Sequence, residues 1–283
     1  MMTDDEGKTA LFYAVQQSDN EFVVRAMIDA GADVNITDNE GKTALFYAVQ
    51  QSNNESVVRA MIDAGADVNI TDNEGKTALF YAVQQSNNES VVRAMIDAGA
   101  DVNRTDNEGK TALFYAVQQS NNESVVRALI DAGADVKITD NEGETAFSYA
   151  AQQSNNESVV RALINAGADV NRTDNEGKSA LFYAVQDKNE SMVRALIDAG
   201  ADVNQTDNEG KTALFFSVQQ STNESVVRAF IDAGADVNRA DNEGKTALFY
   251  AVKEWDNESV IRALIEAGAD VNRTDEGKTA LFY

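Results

Sequence analysis

The residues able to do chemistry in this chain are carboxylates, hydroxyls, amides and amines, because its 283 residues include no histidine and no cysteine. That removes imidazole bases, thiolate nucleophiles, disulfides and the usual zinc sites. Carboxylates remain, yet Asp38, Glu40, Glu55, Asp63 and Asp67 recur at matching places along the sequence. A catalytic pair should be unique, so these read as repeated surface acids. Asp67-Val68-Asn69-Ile70-Thr71 imitates the opening of a calcium loop, but Asp72 stands where such a loop needs glycine and Ala78 where it needs its closing glutamate. Glycines occur singly, at turns, and form no phosphate cradle. Asn54-Glu55-Ser56 has the form of a glycosylation sequon. Helix capping is the expected use of that asparagine, since Met1 to Glu6 lack the basic and apolar regions of a secretory leader. No catalytic residue, cofactor, metal or small-molecule substrate is expected, and the chain is read as a non-enzyme.

The elements that would carry these residues follow from a repeat. The glycine of the Gly-Lys-Thr-Ala-Leu-Phe-Tyr segment falls at Gly7, Gly41, Gly75, Gly109, Gly143, Gly177, Gly210, Gly244 and Gly277. The spacing is 34 residues, with two intervals of 33. The chain is thus read as a single array over residues 1–283, with eight complete repeats and a partial ninth from about residue 274. In each repeat Asp38-Asn39-Glu40-Gly41 makes a turn, with Gly41 free to take positive φ. Thr43 is placed to cap a first helix over roughly 44–51, with Leu45, Ala48 and Val49 on one face. Ser52-Asn53-Asn54-Glu55 has the capping-box pattern and predicts the start of a second helix, whose apolar side is Val57, Val58, Met61 and Ile62. Ala64-Gly65 stops it, and Ala66-Asp67-Val68-Asn69 is expected to run extended into the next turn.

Helices this short are marginal alone in water, so neighbouring repeats must share one core. Composition agrees: 43% of residues are hydrophobic, and no apolar run is long enough to span a membrane. A cytoplasmic location is the expectation. The net charge is −24, and one repeat, Asp38 to Thr71, carries five acids against Lys42 and Arg59. The acidity therefore belongs to the repeat and is spread along the array, which disfavours direct nucleic-acid binding by a basic face.

A turn, two short antiparallel helices and the Gly65-Ala66-Asp67-Val68-Asn69 segment resemble the ankyrin repeat. Asp38, Gly41, Thr43, Leu45, Ala48, Val58 and Met61-Ile62 carry the rest of the resemblance, which covers essentially the whole chain. It implies an all-α repeat solenoid of helix-turn-helix units joined by β-turn or hairpin-like loops, and a protein-binding scaffold or adaptor. Two departures stand out. The family's Thr-Pro-Leu-His is here Thr43-Ala44-Leu45-Phe46, which puts the polar network between repeats in doubt and leaves Phe46 to fill the space by packing. Most repeats carry one extra residue between the helices, whereas Asp187-Lys188-Asn189-Glu190 has the common length.

The resemblance also implies a concave binding surface lined by turn tips and the exposed end of the first helix. In the second repeat these positions are Asn39, Glu40, Lys42, Gln50, Gln51 and Ile70. All but the last recur nearly unchanged, as recent duplication or a periodic partner would produce. The position after Val-Asn varies: Ile36, Ile70, Arg104, Ile138, Arg172, Gln205, Arg239 and Arg273. Lys253-Glu254-Trp255 replaces Gln-Gln-Ser, and Trp255, the only tryptophan, is either a binding anchor near Arg239 and Arg273 or a cover for the end of the array. The expected partner is a protein; the uncapped terminal repeats are read either as ends of a segment of a longer array, the favoured reading, or as faces for end-to-end self-association. Rival readings are an acidic nucleic-acid mimic, for which Glu40 and Asp63 would supply charge, and an engineered repeat protein. Glu144, Phe147-Ser148 and Asn165 look more like drift than design.

Overall fold

In the computed structural model the described residues are 2–17, 20–51, 54–86, 88–119, 122–153, 156–219, 224–254, 257–275 and 278–279. They contain helix pairs in the expected order: α1 (Ala10–Ala14) and α2 (Glu21–Asp29), α3 (Ala44–Ala48) and α4 (Glu55–Asp63), α5 (Ala78–Ala82) and α6 (Glu89–Asp97), α7 (Ala112–Val117) and α8 (Glu123–Asp131). The series continues with α9 (Ala146–Ala151) and α10 (Glu157–Asn165), α11 (Ala180–Gln186) and α12 (Glu190–Asp198), α13 (Ala213–Val218) and α14 (Glu224–Asp232), α15 (Ala247–Ala251) and α16 (Glu258–Glu266). A two-stranded hairpin, β1 (Thr274–Asp275) and β2 (Lys278–Thr279), follows. This is an all-α repeat solenoid, and the expected hairpin-like loops appear as isolated bridges such as Thr37–Thr43 and Thr206–Thr212. No helix among the described residues is long and apolar enough to cross a membrane.

Contacts divide the chain into two compact units, 1–141 and 142–283. Within each, a first helix packs against its own second helix and against the first helix of the next repeat, and second helices likewise pack in a row. The core follows the sequence pattern: Leu45, Phe46, Ala48, Val49, Val57, Val58 and Met61 are all buried, and Val68 closes the loop end. Each second helix starts with glutamate, which suits the positive end of the helix dipole. Each described first-helix glycine turn uses positive φ, as at Gly41 with φ of 81°.

Several local expectations are corrected. The first helix is shorter than 44–51, ending at Ala48 in the second repeat. Thr43 sits at the N-cap position, yet its side chain makes no capping bond; among the described caps of this type only Thr145 does, accepting from the Ser148 N–H. Ser52 of the proposed capping box lies outside the described residues. The second helix is entered from Asn54, whose side chain also makes no cap. The segment after Gly65 is not simply extended, because Asp67 Oδ1 accepts the Asn69 N–H at 2.9 Å and folds it into a turn.

Candidate partner-binding surface

The doubt over a polar network between repeats is resolved by three asparagines. At the tip, the Asn39 N–H donates to Glu6 O and its Nδ2 to Asp5 O, both at 2.9 Å. In the core, Asn54 is buried and its Nδ2 donates at 3.2 Å both to Ala48 O of its own repeat and to Val15 O of the preceding one. At the opposite end, Asn35 Nδ2 donates to Gly65 O at 3.0 Å while its Oδ1 accepts the Asp67 N–H at 2.8 Å. The second unit repeats the pattern with Asn208, Asn257 and Asn204. A buried, committed Asn54 is no free sequon, and its role is neither glycosylation nor capping. The shorter Asp187 to Glu190 loop changes that role: Lys188 takes φ of 56°, and Asn189 does cap, accepting the Met192 N–H at 3.1 Å. One residue of loop length thus switches the asparagine from core donor to cap acceptor.

A tyrosine forms a second junction in most repeats, and in the seventh Phe216 takes its place against Phe182. Phe46 is buried as expected and meets Tyr81 of the next repeat edge-on, with ring centroids 5.7 Å apart. Lys42 Nζ lies 5.2 Å from the same ring, an arrangement contributing about 0.5–1 kcal/mol at partly exposed sites. The Tyr81 hydroxyl donates to Asp72 Oδ2 at 2.6 Å, and Asp72 Oδ1 accepts the Glu74 and Lys76 N–H groups. Burial and this carboxylate push the tyrosine hydroxyls up, to about 12 at Tyr47. On the second helices, the Ser90 hydroxyl of the next repeat and Arg59 hold Glu55 below the usual carboxylate range.

The fifth repeat breaks this junction. Ser148 replaces the phenylalanine and is itself buried, while Phe147 takes the leucine position. Glu144 replaces the lysine, and the Tyr183 hydroxyl now lies against two carboxylates, Glu144 Oε1 at 2.8 Å and Asp174 Oδ2.

The candidate contact residues can now be placed. Asn39 is a staple between tips. Glu40 is exposed and paired with Lys42 at 2.8 Å, so much of its charge is neutralised. Lys42 is further committed to the Tyr81 ring. Gln50 is half-buried with Nε2 donating to Phe46 O at 3.0 Å, and Gln51 is half-buried at the helix end. Ile70 is half-buried. Arg104, Arg172 and Arg239 are exposed, and none has an ion pair among the described residues. Gln205 turns back to donate to Asn171 O at 2.8 Å, and Arg273 likewise donates to Asn238 O. Lys253 is exposed and Glu254 half-buried at the end of α15. Trp255 lies outside the described residues. Sequence reasoning missed the duties of Asn35, Asp38 and Tyr47, although the recurrence of Asp38 in every repeat, and of Asn35 and Tyr47 in all but the ones with Lys137 and Phe216, was the available signal.

Comparison with known proteins matches this geometry. The model for ankyrin repeats (3 copies) matches residues 1–72, 51–140, 121–207 and 199–275. The chain belongs to the ankyrin-repeat family. Among solved structures it is similar to the ankyrin repeat domain of Bcl-3, described as a unique member of the IkappaB protein family. That likeness has a TM-score of 0.70 and 30% identity, covering 80% of this chain and 100% of the Bcl-3 domain. No curated protein sequence matches the chain.

Proposed function

We propose that the chain is a non-catalytic interaction scaffold that holds a protein partner against its hairpin tips and first-helix ends. Membership of the ankyrin-repeat family and likeness to the Bcl-3 domain support a protein-binding role. The observation that carries the finer reading is a division of labour between residues. Tip residues that recur, Asn39, Glu40 and Lys42, are engaged with their neighbours. The position after Val-Asn varies and presents exposed guanidinium groups at Arg104, Arg172 and Arg239. Arginine is a common anchor at protein interfaces, so these residues are placed to read a partner while the constant ones hold the array together.

A periodic partner is not needed to explain the constant tips, since Asn39 and Lys42 contact adjacent repeats and Glu40 pairs with Lys42. The nucleic-acid-mimic reading is weakened by the Glu40–Lys42 pair, which leaves only part of the repeated acid unopposed. The test is a quantitative pull-down with the array as bait, repeated with Arg104→Ala/Arg172→Ala/Arg239→Ala. Loss of a captured protein in the triple variant, with duplex DNA failing to compete, supports the proposal. Equal capture by both, or displacement by DNA, contradicts it.

A further inference from the structure

Successive second helices leave a groove between them. One, of 250 Å³ between α2 and α4, is lined by Arg25, Ile28, Asp29, Ala60, Asp63 and Ala64. Another, of 330 Å³ between α12 and α14, is lined by Arg194, Ile197, Asp198, Ala229, Asp232 and Ala233. The six positions correspond one for one within the repeat, so the same groove recurs in both units. Its floor is apolar, with Ala60 and Ala229 buried and Ile28 and Ile197 half-buried, and its rim carries two exposed aspartates.

The rim charges are poorly served by the fold. Arg25 and Arg194 are held by Glu21 and Glu190 on their own helices, at 2.7 and 3.0 Å. Asp29, Asp63, Asp198 and Asp232 have no ion pair among the described residues. Each occupies the last turn of its helix, where the dipole disfavours an anion, and none of these last turns holds a basic residue.

The junction between α14 and α16 shows which group suits this rim. There Glu266 stands where the other repeats have aspartate, or Asn165 in the fifth, and the Arg228 guanidinium of the preceding helix reaches across to it, at 3.4 Å from both Nη atoms. Adding one methylene to the acid is enough to bring a guanidinium onto it. In the grooves with aspartate the corresponding Arg25 and Arg194 form their ion pairs with the glutamate of their own helix instead.

We infer that the second-helix grooves are docking sites for arginine side chains of a basic segment on a partner protein. The aliphatic stem lies on the isoleucine and alanine floor and the guanidinium between the two aspartates. This surface is separate from the hairpin tips and stands whether or not the tips bind a partner.

The test uses the full chain and a fluorescent octa-arginine peptide, followed by anisotropy at near-physiological salt. The groove variant is Asp29→Asn/Asp63→Asn/Asp198→Asn/Asp232→Asn. A control removes equal charge from the exposed tips, as Glu40→Gln/Glu74→Gln/Glu176→Gln/Glu209→Gln. Each groove loses two ion pairs of surface strength, which amounts to about fivefold weaker binding in the groove variant, whereas the control should change it by less than about twofold. Because the groove substitutions relieve charge at helix C-termini, that variant should melt no lower than the parent. Equal weakening in both variants would reduce the attraction to diffuse net charge, and no weakening in the groove variant would also overturn the proposal.

Discussion

The side-chain amide of Asn88 donates to Ala82 O of its own repeat at 3.1 Å and to Val49 O of the preceding repeat at 3.2 Å. It therefore ties two first helices together from the start of a second. Its role is donation, while Asn189 at the shorter loop accepts. Substitution should separate the two. Asn88→Ala and Asn88→Asp should both destabilise by about 1–3 kcal/mol in urea denaturation, since neither residue can donate to the buried carbonyls. Asn189→Asp should be nearly neutral because a carboxylate still accepts, whereas Asn189→Ala should cost about 1 kcal/mol.

Two glycines with the same backbone conformation should differ. Gly41 and Gly65 have φ of 81° and 86°. A β-carbon at Gly41 would lie 3.1 Å from Asp72 Cα and 3.2 Å from Asn73 N, while one at Gly65 would meet nothing within 4 Å. Both alanine variants carry the left-handed penalty of about 1–2 kcal/mol. Gly41→Ala should cost clearly more, because it also pushes apart the tips joined by the Asn73 N–H to Glu40 O bond. Equal losses in paired denaturation curves would contradict that account.

The fifth repeat should be improvable. Restoring the pattern with Phe147→Leu/Ser148→Phe returns an aromatic edge to Tyr183 and removes a hydroxyl from a buried position. The swap moves one buried ring and in net replaces a buried serine by a buried leucine side chain, which should add about 2 kcal/mol, read as a higher melting temperature. No gain would mean that the surroundings have closed around Ser148.

Alkaline stability should follow the tyrosines. Burial and Asp38 raise the Tyr47 hydroxyl from its ordinary value of 10.0 to about 12. A raised folded-state value contributes stability that is fully present below pH about 10 and is lost as pH climbs through the folded value. Tyr81, Tyr115, Tyr183 and Tyr250 are raised for the same reasons. Stability should fall steeply above pH about 10, and the slope should lessen in Tyr47→Phe/Tyr81→Phe/Tyr115→Phe, as measured by denaturation at stepped pH.

Period, turn glycines and helix faces were legible because they depend on local chemistry and spacing. Leu45, Val58 and Met61 could be assigned to the core from helical periodicity alone. The uses of Asn35, Asn39 and Asn54 were not, since an asparagine that caps and one that bonds an adjacent repeat have the same sequence signature. Phe46 was correctly expected to pack, but its Tyr81 partner 35 residues on depends on how repeats stack. The grooves beside Asp63 were invisible for the same reason.

Dependence of each repeat on its neighbours can be measured directly by far-ultraviolet circular dichroism of a peptide spanning residues 38–71, compared with the full chain. Stripped of the Val15 and Asn73 bonds and of the shared core, the peptide should show little helix and no cooperative melting. A helical peptide with a sharp unfolding transition would contradict it.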